Sequence, residues 1–311
     1  MKRRNVIPMR KADEIEIAQA SLAERIDRWT EGKDKPDTAI PALKLRRWEE
    51  PIGPMSYMHE PSICLIAQGA KRVLLGEEVY IYDAHHFLIT SVDLPVVAQV
   101  TEASKEKPYL GLKLTLDQRS IAQLMLDSNL PLPRTQQPGR GMAVSEVALP
   151  LLNAFQRLID LLYEPEDIPI LAPLVQREIL YRLLMGDQGP RLRQIGATGS
   201  RSHQVARAID WLKCNFNQPL RVDDLASYAR MSISSFHHHF RELTAMSPLQ
   251  FQKWLRLHEA RLLMLTEHLD AATAAFKVGY ESPSQFSREY SRLFGASPLR
   301  DIKSLHQIAA D

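Results

Sequence analysis

The chain has 311 residues, of which 45% are hydrophobic and 24% charged, and its formal net charge is +2 at pH 7. This composition is typical of a folded globular protein and excludes a disordered, collagen-like or coiled-coil rod protein. A single hydrophobic core rarely grows beyond roughly 250–300 residues, so we expect two domains. Because the net charge is small, a nucleic-acid partner has to be argued from a local motif.

The N-terminus and the cysteines bear on the cellular compartment. The chain begins with basic residues, but Asp13, Glu14 and Glu16 interrupt the apolar core that a signal peptide needs. Uncharged stretches stay well short of the ~20 residues that span a bilayer. Two cysteines, Cys64 and Cys214, indicate no disulfide framework. We therefore expect a cytoplasmic protein without a membrane partner, beginning with a loose polar tail.

Residues 40–116 carry the pattern of short β-strands. Apolar segments rich in Val, Ile, Leu and Tyr alternate with turn residues such as Gly69 and Gly76. Leucines alternate with small or polar residues in 109–116, which predicts one buried face and one wetter face. Many short strands favour a small barrel or sandwich. The predicted strands are Ser62–Gln68, Lys71–Gly76, Glu77–Asp83, Phe87–Ser91, Val96–Val100 and Tyr109–Leu116.

Two amphipathic helices are predicted next, over 144–163 and 170–186. Apolar residues recur there at every third or fourth position, and a short turn between the segments predicts an antiparallel pair. The pair can pack on the strands, or its second stripe can contact another subunit, so a homodimer stays open. The predicted stripes are Val147, Leu151, Phe155, Leu158 and Leu162, then Leu171, Val175, Ile179 and Leu183.

A linker is predicted at 191–202, between a first domain over 1–190 and a second over 203–305. The surrounding segment 186–202 contains four glycines and one proline, which favour a flexible connection. Residues 197–311 hold 14 Lys and Arg against 11 Asp and Glu, a charge of +3, which leaves −1 for the rest. This asymmetry has the sign expected if the second half contacts phosphate.

The second half contains an internal repeat. The pattern S-x-S-x-F-x-x-x-[FY]-x-x-L begins at Ser232 and again 50 residues later at Ser282, and Ser-Pro-Leu follows each copy. Each first serine is a candidate helix N-cap, and the aromatic residues fall on one buried helix face. A shorter helix precedes each copy, around Ala226 and Ala275, so each unit is predicted to be a helix-turn-helix.

Two further helices complete the predicted second domain. His203–Asn215 reads as a supporting helix, and Leu249–Thr266 as a helix that connects the two units. Two units in one chain can place helices in successive major grooves, about 34 Å apart. A plain helical bundle is the alternative, but the paired serine caps, the shared aromatic spacing and the Ser-Pro exits favour DNA recognition.

Both halves resemble one known family. Residues 203–302 resemble the DNA-binding domain of AraC/XylS-type transcription regulators, with Arg256–Leu263 similar to the family's connecting helix and Ala275–Arg288 to its second-unit signature. The resemblance implies an α+β protein of two domains: a small cupin-like β-barrel with a helical pair, and an all-α double helix-turn-helix. Similarity to the N-terminal domain of one AraC subfamily is carried by Glu60–Gly69, Ser91–Pro95, Pro108–Leu110 and Arg177–Leu184.

This resemblance implies a sequence-specific transcription regulator whose partner is double-stranded promoter DNA. RNA polymerase, a small-molecule effector and a second copy of the chain are the further partners it implies, and activation is the commoner outcome. An enzyme built on a cupin-like barrel and a protein-binding helical bundle stay open as alternatives. We expect no enzyme and no cofactor, because the sequence has no phosphate-binding glycine loop, nucleophile elbow or zinc-type Cys/His array.

DNA-reading residues are expected opposite the aromatic face of each second helix. Arg288 is the strongest candidate, because a bidentate Arg–guanine pair is the commonest specific contact. Helix geometry places Arg241 on the same side of the first unit. The resemblance puts base-reading side chains at Ser234, His237, His238, Ser284, Ser287 and Arg288. Candidate phosphate contacts are Ser247, Lys253, Ser297 and Arg300.

Three more groups invite a chemical interpretation. In His237-His238-His239, groove contact would strengthen as pH falls through ~6.5, whereas a solvated helix face is the alternative. We predict no metal site there, because adjacent helical side chains diverge by about 100°. Residues 85–86 are a second histidine pair, in a turn, and also point apart. Cys64 is expected to be a core residue, with a thiol sensor as the alternative.

Overall fold

The computed structural model describes residues 11–33, 37–131 and 139–308. The chain divides into two compact units, Met1–His203 and Gln204–Asp311. Each unit has its own cluster of buried apolar side chains. Within the described residues, no helix is both long and apolar enough to cross a membrane.

Antiparallel strands form the body of the first unit. Its described residues contain nine strands, which pair in the order β1-β8-β3-β6-β9 in one sheet and β2-β7-β4-β5 in the other. In the described part of the chain, no strand pairing joins the two sheets into a closed barrel. The strands are β1 Leu43–Trp48, β2 Ile52–His59, β3 Ser62–Gln68, β4 Ala70–Leu75, β5 Glu78–Asp83, β6 His86–Thr90, β7 Leu94–Glu102, β8 Tyr109–Thr115 and β9 Met142–Glu146.

The two-domain α+β prediction is confirmed, and each predicted strand has a counterpart. Three strands were not predicted. Charged residues interrupt the apolar pattern of β1, and Gly53 and Pro54 interrupt that of β2. Strand β9 lies where the sequence predicted the start of the helix 144–163. That prediction arose because Val144 and Val147 also fit helical spacing. The segment instead pairs with β6, and Val144 lies opposite Leu88.

Five helices accompany the sheets in the described first unit. Helix α3 ends in a short 3₁₀ turn, Leu161–Tyr163, and packs against α4 as the predicted antiparallel pair. The inner stripe of α4 ends in the buried Ile179 and Leu183, whereas Leu171 is exposed. The helices are α1 Lys11–Thr30, α2 Gln118–Asp127, α3 Leu149–Asp160, α4 Ile168–Met185 and α5 Gly189–Gly196.

The predicted loose N-terminal tail is wrong from residue 11 onward; residues 1–10 lie outside the described chain. Helix α1 buries Leu22 and Ile26 completely in the core of the first unit. Its Arg25 Nε donates to Asp160 Oδ1 at 2.7 Å, which ties α1 to α3. Ala18, Leu22 and Ile26 follow a four-residue spacing, so the amphipathic signal was present beneath a highly charged composition.

The first part of the predicted linker is also helical. Residues 191–196 belong to α5, which buries Leu192 and Ile195 against the first unit. Gly189 serves close packing there, since a Cβ on it would lie 2.1 Å from the carbonyl oxygen of Leu184. Gly189 and Gly196 therefore allow a close approach of neighbouring elements, whereas a Cβ on Gly199 would have no atom within 4 Å.

Helices alone make up the described second unit. Helix α6 buries Val205, Ile209 and Leu212, as the sequence predicted for a supporting helix, and α9 coincides with the predicted connecting helix. The helices are α6 Arg201–Asn215, α7 Val222–Tyr228, α8 Ile233–Thr244, α9 Pro248–Thr266, α10 Ala271–Lys277, α11 Pro283–Phe294 and α12 Pro298–Ile308.

The repeat is present as two helix-turn-helix units, α7–α8 and α10–α11. The Ser232 hydroxyl accepts from the Ser235 N–H, and the Ser282 hydroxyl accepts from the Gln285 N–H, so both predicted N-caps are confirmed. The first helices correspond at an offset of 49 residues and the second helices at 50. The turn of the second unit is therefore one residue longer.

The ends of α8 and α11 differ in one informative residue. Both helices end in a left-handed residue, which is Gly295 with φ 76° after α11 but Ala245 with φ 61° after α8. A Cβ in this conformation costs roughly 1–2 kcal/mol. Alanine at position 245 therefore keeps a strain that glycine relieves in the other unit.

Replacing Ala245 by Gly is expected to raise the free energy of unfolding. The gain is about 0.5–1 kcal/mol, because relief of the left-handed strain exceeds the entropy that glycine adds to the unfolded chain. Urea unfolding of the full chain measures it. The matched reverse change, Gly295→Ala, should destabilise by a similar amount, and equal midpoints for all three proteins would contradict the assignment of strain.

Candidate nucleic-acid interface

Helix α8 separates an aromatic inner face from a polar outer face. Phe236 and Phe240 are completely buried, and Phe240 packs edge-on against Phe251 of α9 with ring centroids 5.6 Å apart. The predicted DNA-reading residues all lie away from this face. Ser234, His238 and Arg241 are exposed and His237 is half-buried.

Helix α11 repeats this arrangement. Phe286 and Tyr290 are completely buried. Ser284 and Arg288 are exposed and Ser287 is half-buried, so the structure brings the three predicted residues together on the outer side of the helix. Two short polar surfaces, one on each second helix, result from the same sequence pattern.

The four predicted phosphate contacts have unlike surroundings. The Ser247 hydroxyl accepts from the Gln250 N–H and belongs to a capping box at the start of α9. Lys253 donates to Glu289 Oε1 at 2.8 Å and is therefore already paired. Ser297 and Arg300 are exposed at the start of α12.

Helix α9 holds the two units together through a fork of polar side chains. The Arg256 guanidinium donates to the carbonyl oxygens of Phe216, Gln218 and Gly279 at 2.7, 2.9 and 2.9 Å. One turn earlier, Gln252 Nε2 donates to the Phe216 and Gln218 carbonyls at 2.9 and 2.7 Å. The segment before α7 and the turn between α10 and α11 are thereby fixed on one helix.

Sequence reasoning named Arg256 only as part of the family's connecting helix and did not identify its partners. The usable signal was a pair of polar residues four positions apart on an otherwise amphipathic helix. Nothing local in the sequence indicates that backbone carbonyls of two distant turns lie within reach of them.

A buried polar cluster anchors the second helix-turn-helix unit, α10–α11. Tyr290 Oη donates to Asp301 Oδ2 at 2.7 Å, and Arg261 donates to both oxygens of the same carboxylate at 2.8 Å. Burial raises the pKa of the Tyr290 phenol, and its hydrogen bond to Asp301 raises it further. The first helix-turn-helix unit, α7–α8, has Phe240 at the matching position, and this side chain lacks the hydroxyl.

Glu289 organises the polar edge of α11. It accepts from Lys253 at 2.8 Å, from the Tyr280 hydroxyl at 2.8 Å and from Gln285 at 3.3 Å. Burial raises the pKa of the Glu289 carboxyl, but these hydrogen bonds lower it by more, so the net pKa lies below its ordinary value. The carboxylate is therefore charged at neutral pH and links α11 to α9.

The first compact unit of the chain, Met1–His203, contains a polar cluster between its two sheets. Lys71 shares a face of β4 with Val73 and Leu75, both completely buried, and its Nζ donates to Tyr57 Oη at 3.3 Å. Burial lowers the pKa of the Lys71 ammonium, whereas the neighbouring Tyr109, Tyr57 and Cys64 side chains raise it, and the net shift is upward. Among the described residues, no carboxylate forms an ion pair with Lys71.

Cys64 and His59 lie in this cluster, with Sγ 3.7 Å from Nε2. Burial raises the pKa of the Cys64 thiol, and the side chain is buried, so it lacks the low pKa and the access that a thiol sensor needs. Burial lowers the pKa of His59 to about 4, which keeps that ring neutral at pH 7. Both observations favour the core interpretation of Cys64.

The run His237–His239 was predicted to hold no metal site, but two of its histidines lie close to a carboxylate. Within the described residues, the potential metal-ligating atoms of His238, His239 and Glu242 lie within 4.8 Å of one another. The divergence of adjacent side chains does not separate them, because Glu242 lies one turn farther on and faces both histidines. His237 is outside this cluster.

Each half of the chain matches a known protein family. Residues 39–191 match a family model described as the AraC-type transcriptional regulator N-terminus, and residues 225–303 match a helix-turn-helix domain. The HTH-type transcriptional activator RhaS of Escherichia coli is 25% identical over 183 residues, 58% of this chain and 64% of RhaS. The putative regulator YneL of E. coli is 68% identical over 37 residues, 12% of this chain and 63% of YneL.

The chain thus spans less than two thirds of each of these two curated relatives. Among solved structures, ToxT from Vibrio cholerae O395 bound to (E)-4-(8-methylnaphthalen-1-yl)but-3-enoic acid is similar in fold. Its TM-score is 0.55 at 11% identity, and the match covers 84% of this chain and 97% of that chain.

Removing the Arg256 fork is expected to destabilise the second unit. Arg256→Ala leaves the Gly279 carbonyl without its donor and removes the charged donor from the Phe216 and Gln218 carbonyls, to which Gln252 still donates, so it should cost roughly 1–3 kcal/mol of unfolding free energy. Urea unfolding of the full chain measures the loss. Arg292→Ala, which removes the same charge from an exposed position of α11, should change stability by less than about 0.5 kcal/mol, and equal effects of the two changes would contradict the role of the fork.

Proposed function

The chain belongs to the AraC-type transcription regulators, which bind DNA, and from that premise we propose that it reads promoter DNA with α8 and α11 in successive major grooves. The observation that carries this proposal is the repeated polar outer face of the two second helices on one connecting helix, α9. Major grooves on one side of B-DNA recur about every 34 Å, which suits a tandem pair of reading helices.

Arg288 carries the strongest base contact in this proposal. It is exposed on the outer side of α11, beside Ser284 and Ser287, and a guanidinium can donate two hydrogen bonds to guanine O6 and N7. In the first helix-turn-helix unit, Ser234 offers a hydroxyl, His237 and His238 offer imidazole rings, and Arg241 offers a second guanidinium. The two units therefore read different bases.

Phosphate contacts supply the sequence-independent part of the affinity. Ser297 and Arg300 are exposed at the start of α12 and are the better candidates. Lys253 would first have to exchange Glu289 for a phosphate, and Ser247 would have to donate its proton while its oxygen caps α9. A marked salt dependence of binding distinguishes this function from a protein-binding bundle.

Arg288→Ala is expected to lower affinity for a specific DNA site by about 5- to 150-fold, the equivalent of 1–3 kcal/mol for a lost bidentate contact. The site is first isolated as a genomic fragment that the purified protein retards. Binding to that fragment and to a scrambled duplex of equal length is then measured by titration at fixed salt.

Arg292→Ala is the matched control, because it removes the same charge from the same helix. It should affect both duplexes equally, whereas Arg288→Ala should affect mainly the specific one. A parallel loss on both duplexes in Arg288→Ala would contradict base reading by Arg288.

We further propose that a small organic carboxylate is the effector and that Lys71 binds it between the sheets of the first unit. A partly buried ammonium is stabilised by a counter-charge; Lys71 is half-buried, and the described residues supply no carboxylate to it. The solved ToxT relative that binds a butenoic acid is consistent with an acidic effector.

An open cavity of about 610 Å³ lies beside α2 and α4. Two arginines line it: Arg177 is paired with Asp127 at 2.6 Å, whereas Arg119 is exposed, so this cavity is a second candidate for an acidic ligand. Lys71 remains the first candidate, because its side chain lies next to Val73 and Leu75, both completely buried, and no described carboxylate pairs with it.

The effector proposal predicts that carboxylates raise the unfolding temperature of the full chain. A series from acetate to oleate is tested by differential scanning fluorimetry, and Lys71→Met should abolish the increase because it removes the counter-charge. Lys44→Met makes the same change on an exposed strand position and should respond like the unmodified chain. If no acid in the series stabilises the chain, or if Lys71→Met still responds, the proposal is wrong.

The remaining partners follow from exposed surfaces and from the family. We propose a homodimer formed through the outer side of α4, where Ile170, Leu174 and Met185 are more than half exposed at 69%, 60% and 55%. We also propose contact with RNA polymerase and activation of transcription, as the name of the activator RhaS suggests for that relative. The chain would act in the cytoplasm, as a regulator without catalytic activity.

A further inference from the structure

Helix α8 carries a cluster of three potential metal ligands beside its DNA-facing side. The ligand atoms of His238, His239 and Glu242 lie within 4.8 Å of one another. His239 Nδ1 is 3.1 Å from Glu242 Oε2, and the rings of His238 and His239 meet edge to face with centroids 5.0 Å apart. The cluster is thus assembled in the folded chain before any ion binds.

Helix geometry explains how the three residues meet. Successive residues advance by about 100°, so Glu242 is rotated by about 40° from His238 and by about 60° from His239. Glu242 therefore stands one turn above the gap between the two histidines. His237 is rotated away from this sector by about 100° from His238, toward Arg241.

We propose that His238, His239 and Glu242 bind one divalent transition-metal ion of the zinc class. Two imidazoles and one carboxylate are ligands that Zn²⁺ prefers, whereas Mg²⁺ and Ca²⁺ prefer oxygen alone. Zinc bonds to such ligands are about 2.0–2.2 Å long, so the three atoms move closer together by small side-chain rotations. The fourth position of the tetrahedral ion takes water.

The three ligands differ in how far they are buried. The His239 and Glu242 side chains are only 14% and 21% exposed, which fixes their positions, whereas His238 is exposed. His238 is therefore both a ligand of the proposed ion and a residue of the outer face of α8, where the proposed DNA contacts lie. Metal uptake would withdraw one DNA-reading side chain.

The test is a Zn²⁺ titration of the full chain in competition with a chromogenic chelator, after removal of metal with EDTA. All proteins carry Cys214→Ser, so that the exposed thiol does not bind zinc. One Zn²⁺ should bind per chain at this site. Loss of an outer-shell partner alone weakens metal affinity by about 10–100-fold, so His239→Ala and Glu242→Gln should each weaken it by at least about tenfold.

His237→Ala is the matched control and should leave zinc affinity within about twofold, because His237 lies outside the ligand set. The proposal is overturned if His239→Ala and Glu242→Gln bind zinc as well as the unmodified chain, or if His237→Ala weakens binding equally. This titration contains no DNA, so its result is independent of the proposed DNA recognition.

Discussion

The arrangement of the two helix-turn-helix units depends on one set of hydrogen bonds, which Arg256 and Gln252 of α9 donate to backbone carbonyls. Carbonyl groups at turns have lost their helical partners, and burying them unpaired costs free energy. A planar guanidinium can reach three of them at once because its five donors are fixed in one fork. The connecting helix thus satisfies two distant turns and sets the positions from which α7 and α11 begin.

The two repeats are held in place by different physics despite their shared pattern. In the first unit, Phe236, Phe240 and Phe251 form an apolar cluster whose strength depends on buried area. In the second, Tyr290 adds a hydrogen bond to Asp301, which Arg261 also binds. A polar cluster of this kind fixes distances and angles more tightly than apolar packing does. Helix α11 therefore presents its outer residues from the more rigid base.

Local sequence pattern was sufficient for the features that depend on neighbours in the chain. Serine caps, aromatic spacing and the two helix pairs follow from contacts within four residues, and the α+β division follows from a change of period. The pattern failed where composition masked a periodicity, as in α1, or where glycines served packing, as at Gly189. The pattern also failed at β9, whose apolar residues fit both the helical and the strand period. Pairing with β6 makes this segment a strand.

The functional surfaces divide in the same way. Placement of Ser234, His238, Ser284 and Arg288 on outer faces required only the helical period. The partners of Arg256 and the ion pair of Lys253 depend on how distant turns and helices are oriented in space. A sequence read one residue at a time does not contain those orientations.

The extra residue in the second turn has a consequence for symmetry. Two units related by a step along the chain, with unlike outer residues and unlike turns, have no twofold axis between them. A single chain bound to a duplex would therefore give its site a polarity, with a head and a tail. Reversing such a site relative to the start of transcription would present a different protein surface to the neighbouring machinery, even though every base remained the same.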